Sequence, residues 1–204
     1  MSATHLALAI SAALAIAGCS IGKPIPQATT YVVEPPIPAV SPASERRAQS
    51  MRMGNVRVAA AFSGNALVYR TGDVQFVSDP YQAFIAEPAA MLGNRMAEWL
   101  DRAGPFKTVA QPGNARPAAY VLEATATELY GDFRAGQAPA AVMAVQFALI
   151  DQTAPRPTVV LERTIASRIV IAEATPDALV RGYGTALAEI LSQLVSELQQ
   201  VSRK

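Results

Sequence analysis

The sequence predicts an α/β domain: one mixed, largely antiparallel sheet packed by two main helices, with an apolar leader and a proline-rich segment in front of it. Strand-like runs occupy residues 118–130, 140–150 and 158–171, and in the second of them Ala141, Met143, Val145, Phe147 and Leu149 share one face, as period two requires. The connections 131–139 and 152–157 are short enough for an antiparallel meander. Two other stretches, near 87–103 and 176–201, repeat apolar residues at helical spacing.

Residues 6–17 form an uncharged apolar run of twelve, which suits the core of a cleavable export signal and is too short for a membrane-spanning helix, which needs about 20 residues. From residue 21 to about 50 the chain carries six prolines, at 24, 26, 35, 36, 38 and 42. Proline fixes φ and removes a donor, so this segment reads as an extended, mobile tether reaching up to about 95 Å. Tyr31-Val32-Val33 is β-prone and predicts one short edge strand inside it, stopped by Pro35-Pro36. The boundaries that follow are a signal peptide at 1–18, an N-terminus with tether at 19–50 and a single domain at 51–204.

The domain opens with a strand over 55–62 and a hairpin of 66–70 and 73–78 joined by Thr71-Gly72. A helix begins at about Glu87, with Pro88 in its first turn. Its apolar face carries Ala89, Leu92, Met96, Trp99, Leu100 and Ala103, and Gly104-Pro105 ends it. The last helix opens on Thr175-Pro176-Asp177: a capping hydroxyl, a proline at the first helical position and an acid at the positive helix end. Its stripe of Val180, Tyr183, Leu187, Ile190, Leu191, Leu194, Leu198 and Val201 predicts burial against the sheet, Leu187 and Leu194 included.

Composition narrows the chemistry. Of 204 residues, 51% are hydrophobic, but 40 are alanine, so the large side chains suffice for one core and no more. Net charge is +1, with 17 basic and 16 acidic residues intermixed, which gives nucleic-acid phosphates no clustered partner. The only histidine is His5 and the only cysteine is Cys19, both in the leader region. The domain therefore cannot build a Ser-His-Asp triad, an imidazole metal site, a disulfide or a thiolate zinc cage. No phosphate-cradling glycine motif occurs, and Gly182-Tyr183-Gly184 sits inside the helical pattern. No cofactor and no enzymatic activity are expected.

Ile16-Ala17-Gly18-Cys19 resembles the bacterial lipobox, which implies that the Cys19 thiol takes the lipid and becomes the mature N-terminus. Two or more acyl chains hold a protein on a membrane stably, where one does so marginally. Ser20 stands where inner-membrane retention signals carry Asp, so the resemblance points to the outer membrane.

In chain order, further features resemble one family, the ABC-type transport auxiliary lipoproteins, over about residues 19–200. They are Tyr31-Val32-Val33-Glu34-Pro35-Pro36 after the lipobox, then Leu67-Val68-Tyr69-Arg70, then Tyr81, Phe84, Pro88 and Leu92, then Gly104-Pro105-Phe106-Lys107-Thr108-Val109. Phe84 stands where the family often has Trp. The resemblance implies a lipid-anchored protein at the periplasmic face of the outer membrane. Its implied partners are an MCE-domain protein and an ABC permease and ATPase that move phospholipid or other hydrophobic cargo. A structural or assembly lipoprotein of the envelope that does not handle lipid is the alternative. Adaptable apolar side chains suit acyl tails, so Tyr69, Phe76, Tyr81, Phe84, Met91 and Met96 are candidates to line a lipid-accepting groove, with Arg70 as a contact for an anionic group. Ordinary core and surface roles compete with this at every one of those positions.

Overall fold

The computed structural model describes residues 27–42, 46–114 and 116–201. The described elements are β1 (Thr29–Tyr31), β2 (Met51–Val58), a 3-10 turn (Ala60–Phe62), β3 (Ala66–Arg70), β4 (Phe76–Phe84), α1 (Pro88–Ala103), β5 (Val109–Ala110), β6 (Tyr120–Asp132), β7 (Ala140–Asp151), β8 (Thr158–Val170) and α2 (Pro176–Val201).

All eight strands form one sheet built around β6. Along one edge β6 pairs antiparallel with β7, and β7 with β8, which gives the expected meander. Along its other edge β6 takes two parallel partners in succession: β2, from Met51↔Tyr120 to Val58↔Ala126, and β3, at Tyr69↔Gly131 and Arg70↔Asp132. Strand β4 pairs antiparallel with β3, β1 parallel with β4, and β5 parallel with β2. The result is the predicted mixed sheet with two helices in one domain.

Both helices cover the same face. Paired positions such as Leu122, Leu149 and Leu161 point to it, α1 lies over β2 and β5, α2 lies over β7 and β8, and the helices touch each other. Leu187 and Leu194 are fully buried there, as their place in the stripe predicts. The opposite face holds a small cluster of Val68, Tyr130 and Val142 under Phe62. Phe62 stacks on Tyr130 and Phe76 meets both edge-on, with centroids 5.3 to 5.9 Å apart.

Three local expectations change. Strand β2 starts at Met51, not at 55, and stops at Val58. Met-Arg-Met-Gly-Asn has weak strand propensity of its own; pairing with β6 and burial of Met51 and Met53 override it. The register slips between Met53 and Val56, and a side chain at Gly54 would press within 2.6 Å of Val121 Cγ1. Second, the hairpin loop runs to Gln75 and β4 begins only at Phe76, because the Thr71 N–H donates to the Gln75 carbonyl at 3.0 Å.

The third change concerns the segment after β1, which is docked along α1 as a strap. Val33 is buried, with its N–H 3.5 Å from the Met91 sulfur. The Trp99 indole donates to the Pro36 carbonyl at 3.2 Å, and Arg95 pairs with Glu34. Ser41 donates through its N–H to Arg102 O and through its hydroxyl to Ala103 O, at 3.0 and 2.6 Å. Arg46 reaches the Arg102 carbonyl as well, at 2.6 Å. The cause is complementary need: the last turn of α1 has carbonyls without helical donors, and a proline-rich chain has carbonyls free to accept from Trp99. The expectation of a mobile tether is thereby corrected for the described residues after the short strand, and that strand falls at Thr29–Tyr31 instead of 31–33. The signal peptide, Cys19 and the tether before residue 27 lie outside the described residues.

The paired glycines in α2 have a packing role. A side chain at Gly182 would press within 2.7 Å of the Ala141 Cβ, and one at Gly184 would collide with the Glu34 carbonyl, so these positions let the helix sit close to β7 and the strap.

Candidate functional site

The register defines two ends of the sheet. Phe76, Arg70, Asp132, Ala140 and Val170 form a row across one, and Met51, Tyr120, Asp151 and Thr158 across the other.

At the second end a cleft of about 800 Å³ opens between the strap, three strand ends and the last turns of α2. Arg47 and Gln49 come from the strap, Tyr120 from β6, Asp151 from β7, Leu161 and Arg163 from β8, and Glu197 and Gln200 from α2. Among the described residues the last turn of helix α2 has no basic residue, and its negative end favours a cation. Arg47 supplies it by donating to the Leu198 carbonyl. Its guanidinium is sandwiched against Phe106, 4.8 Å from the ring centroid, and Tyr120, at 5.8 Å. Burial pulls the Arg47 pKa below that of an ordinary arginine, while Tyr120 acts in the opposite direction. Across the cleft, Arg163 Nε lies 3.4 Å from Glu197 Oε2. Asp151 accepts from the Thr153 N–H and hydroxyl, each at 2.7 Å, and these bonds hold its carboxyl below the usual range. The cleft thus offers fixed charges of both signs, two amides and an apolar floor. This lining suits a peptide segment with polar backbone and mixed side chains better than an acyl chain.

A narrower groove of about 480 Å³ runs between the strap and α1, past Ile37, Pro38, Trp99 and Arg102. Among the described residues no group of three or more His, Cys, Asp or Glu stands close enough to hold a metal ion.

The candidates named from sequence do not converge on one groove. Phe84, Met91 and Met96 are core residues, with Phe84 against Tyr183 at 6.2 Å. Tyr69 stacks on Phe133 at 5.0 Å and donates its hydroxyl to Asp79 at 2.8 Å, and burial with that bond pushes its pKa well up. Arg70 and Phe76 meet at the first end of the sheet, 5.8 Å apart, and Tyr81 lies exposed on β4. The cleft residues Arg47, Arg163 and Glu197 were not singled out from the sequence, since nothing in the linear order places a residue of the strap at the end of α2.

Residues 31–195 match the family described as ABC-type transport auxiliary lipoprotein component. The chain belongs to that family. The match begins at the last residue of β1 and so takes in the strap as well as the sheet. Among solved structures, protein XCC0632 from Xanthomonas campestris, of family DUF330, superposes with a TM-score of 0.72 at 16% identity, over 86% of this chain and 97% of that one. An uncharacterized protein superposes with a TM-score of 0.61 at 19% identity, over 84% of this chain and 99% of that one. These likenesses establish the fold that the family member shares with them. No curated protein matches the sequence. Among the described residues no helix is long and apolar enough to cross a membrane.

Proposed function

We propose that this auxiliary lipoprotein is anchored through Cys19 to the periplasmic face of the outer membrane and serves an MCE-type ABC transporter. That system would move phospholipid or other hydrophobic cargo between the membranes, with the MCE-domain protein and the permease and ATPase as partners. The family match over residues 31–195 carries the reading. The lipobox resemblance supports the anchor, and the mixed lining of the cleft supports protein contact in place of chemistry. In this reading the chain is not an enzyme: ATP hydrolysis belongs to another subunit, and the cleft receives a segment of the MCE-domain partner.

Crosslinking in intact envelopes followed by purification tests it. The expected result is recovery of an MCE-domain protein, reduced at least tenfold by Arg163→Glu, which puts a third acid beside Asp151 and Glu197 without touching the core. Recovery of peptidoglycan or outer-membrane assembly factors alone replaces transport by a structural role.

A further inference from the structure

We infer that the tip of the β3–β4 hairpin is the surface this domain lays against the phospholipid bilayer. The inference rests on the reading of Cys19 as the lipid anchor. It adds what that reading lacks: which side of the domain faces the membrane.

Chain direction is the first observation. Strand β1 runs parallel to β4, with Thr29 level with Gln82 and Tyr31 with Phe84. Read backwards, Tyr31 to Thr29 therefore points along β4 toward Phe76 and the hairpin tip. Ala66 pairs with Ala83 and Arg70 with Phe76, so a bulge in β4 shortens the run from Gln82 to Phe76 to about three strand positions, about 10 Å. The ten steps from Thr29 back to Cys19 span at most about 35 Å. That reach is enough for Cys19 to lie beyond the tip by up to about 25 Å. The cleft end lies about 30 Å away in the opposite direction, since β6 covers about 40 Å in all. A chain that first had to reverse, at a cost of about three residues, would have about 25 Å left and would fall short of that end.

The second observation is what the tip exposes. Val74 at the apex is 90% exposed, Val77 50% and Phe76 46%, the most exposed apolar side chains of this hairpin turn. Scattered single apolar residues need no explanation, but here three fall within four positions at the point to which the N-terminal chain leads. The backbone beneath them is already satisfied. Arg70 donates to the carbonyls of Gly72 and Asp73, at 3.3 and 2.7 Å, and Thr71 N–H to Gln75. A tip whose carbonyls are paired enters the interfacial layer at lower desolvation cost than an open loop. Charge does not oppose contact: the one acid at the tip, Asp73, has Arg134 3.6 Å away, and the Arg70 guanidinium, 5.8 Å from the Phe76 ring centroid, adds a cation beside the exposed side chains.

The test uses the full, lipidated chain in vesicles of phosphatidylethanolamine and phosphatidylglycerol. A polarity-sensitive dye is attached to the new thiol of Val74→Cys or, at the cleft end, of Val159→Cys, both exposed enough that folding is untouched. Nitroxide lipids labelled near the headgroup should quench the V74C dye at least threefold more than the V159C dye. Equal quenching, or stronger quenching at V159C, in a chain that sediments with the vesicles overturns the orientation while leaving the anchor intact. A mature chain with unmodified Cys19 that stays in the supernatant overturns the anchor, and the orientation with it.

Discussion

The two ends of the sheet are closed in different ways. At the hairpin end the closure is local. Asp132, only 2% exposed, accepts from Arg134 Nε and Nη2 two residues away, at 2.9 and 2.8 Å, and from Arg168 of β8 at 3.3 Å. The Arg134 bonds hold the Asp132 carboxyl well below the usual range against the opposing effect of burial, and Arg134 is correspondingly pushed up. Helix α2 starts at this end with its own cap, the Thr175 hydroxyl 3.3 Å from the Ala178 N–H. At the cleft end the partner is distant: Arg47 donates to the Leu198 carbonyl from 151 positions away. A side chain that arrives from so far seals one carbonyl and leaves the rest of the junction open. The difference teaches where a cavity survives folding: at the junction of distant segments, not where neighbours in sequence can pair.

Four measurements can break or sharpen this contrast. The largest effect is expected from Leu194→Ala, in the buried stripe of the helix that joins the two ends, which should cost about 3 kcal/mol in urea unfolding. A single cooperative transition, displaced as a whole, would mean the ends share one core; an unchanged midpoint would contradict the packing. Next, Asp132→Asn should cost about 2 kcal/mol, because two arginines lose a charged acceptor. The pH dependence has a definite sign. A carboxyl held below its unfolded value near 3.9 contributes fully above that value and loses its contribution as pH falls toward its folded value. Acid titration of stability should thus show a limb in the wild type that the Asn variant lacks, and parallel limbs would remove Asp132 as its source.

Arg47→Ala should cost about 1 to 2 kcal/mol, from the stacked guanidinium and its hydrogen bond to the helix end. Limited proteolysis should then cut the strap near residue 47 sooner, while the hairpin end stays intact; equal cleavage of both would erase the contrast. The smallest effect belongs to Arg163→Ala, whose solvent-facing pair with Glu197 is worth no more than about 0.5 kcal/mol. A larger loss would make the cleft wall a stability element and not a free surface.

The helices and the β6–β7–β8 meander were legible because their signals are periodic and internal: the stripe of α2 names its buried residues one by one, and the alternation in β7 names its core face. What could not be read depends on partners far along the chain. The parallel placement of β2 beside β6 makes strand residues of Met51 and Met53, which a local scan passes over. Proline density in 31–42 correctly indicates an extended chain, yet extension does not decide between solvent and a helix surface, and Trp99 with the carbonyls of Arg102 and Ala103 decides it. Of the candidate residues, Arg70 and Phe76 meet at the hairpin tip, whereas the cleft has no linear signature at all, since its walls come from five elements.

Strand β1 also determines how the domain bears a load. Its three pairs with β4 lie side by side along a parallel ladder. A pull on the N-terminus directed along the strand strains all three together in shear, instead of opening them one at a time from an end as a zipper opens. Behind β1 the strap continues the resistance, through Glu34 to Arg95, Pro36 to Trp99 and Ser41 to the end of α1. Force entering at the N-terminus is therefore passed first into the sheet and then along a helix, before it reaches the packed core.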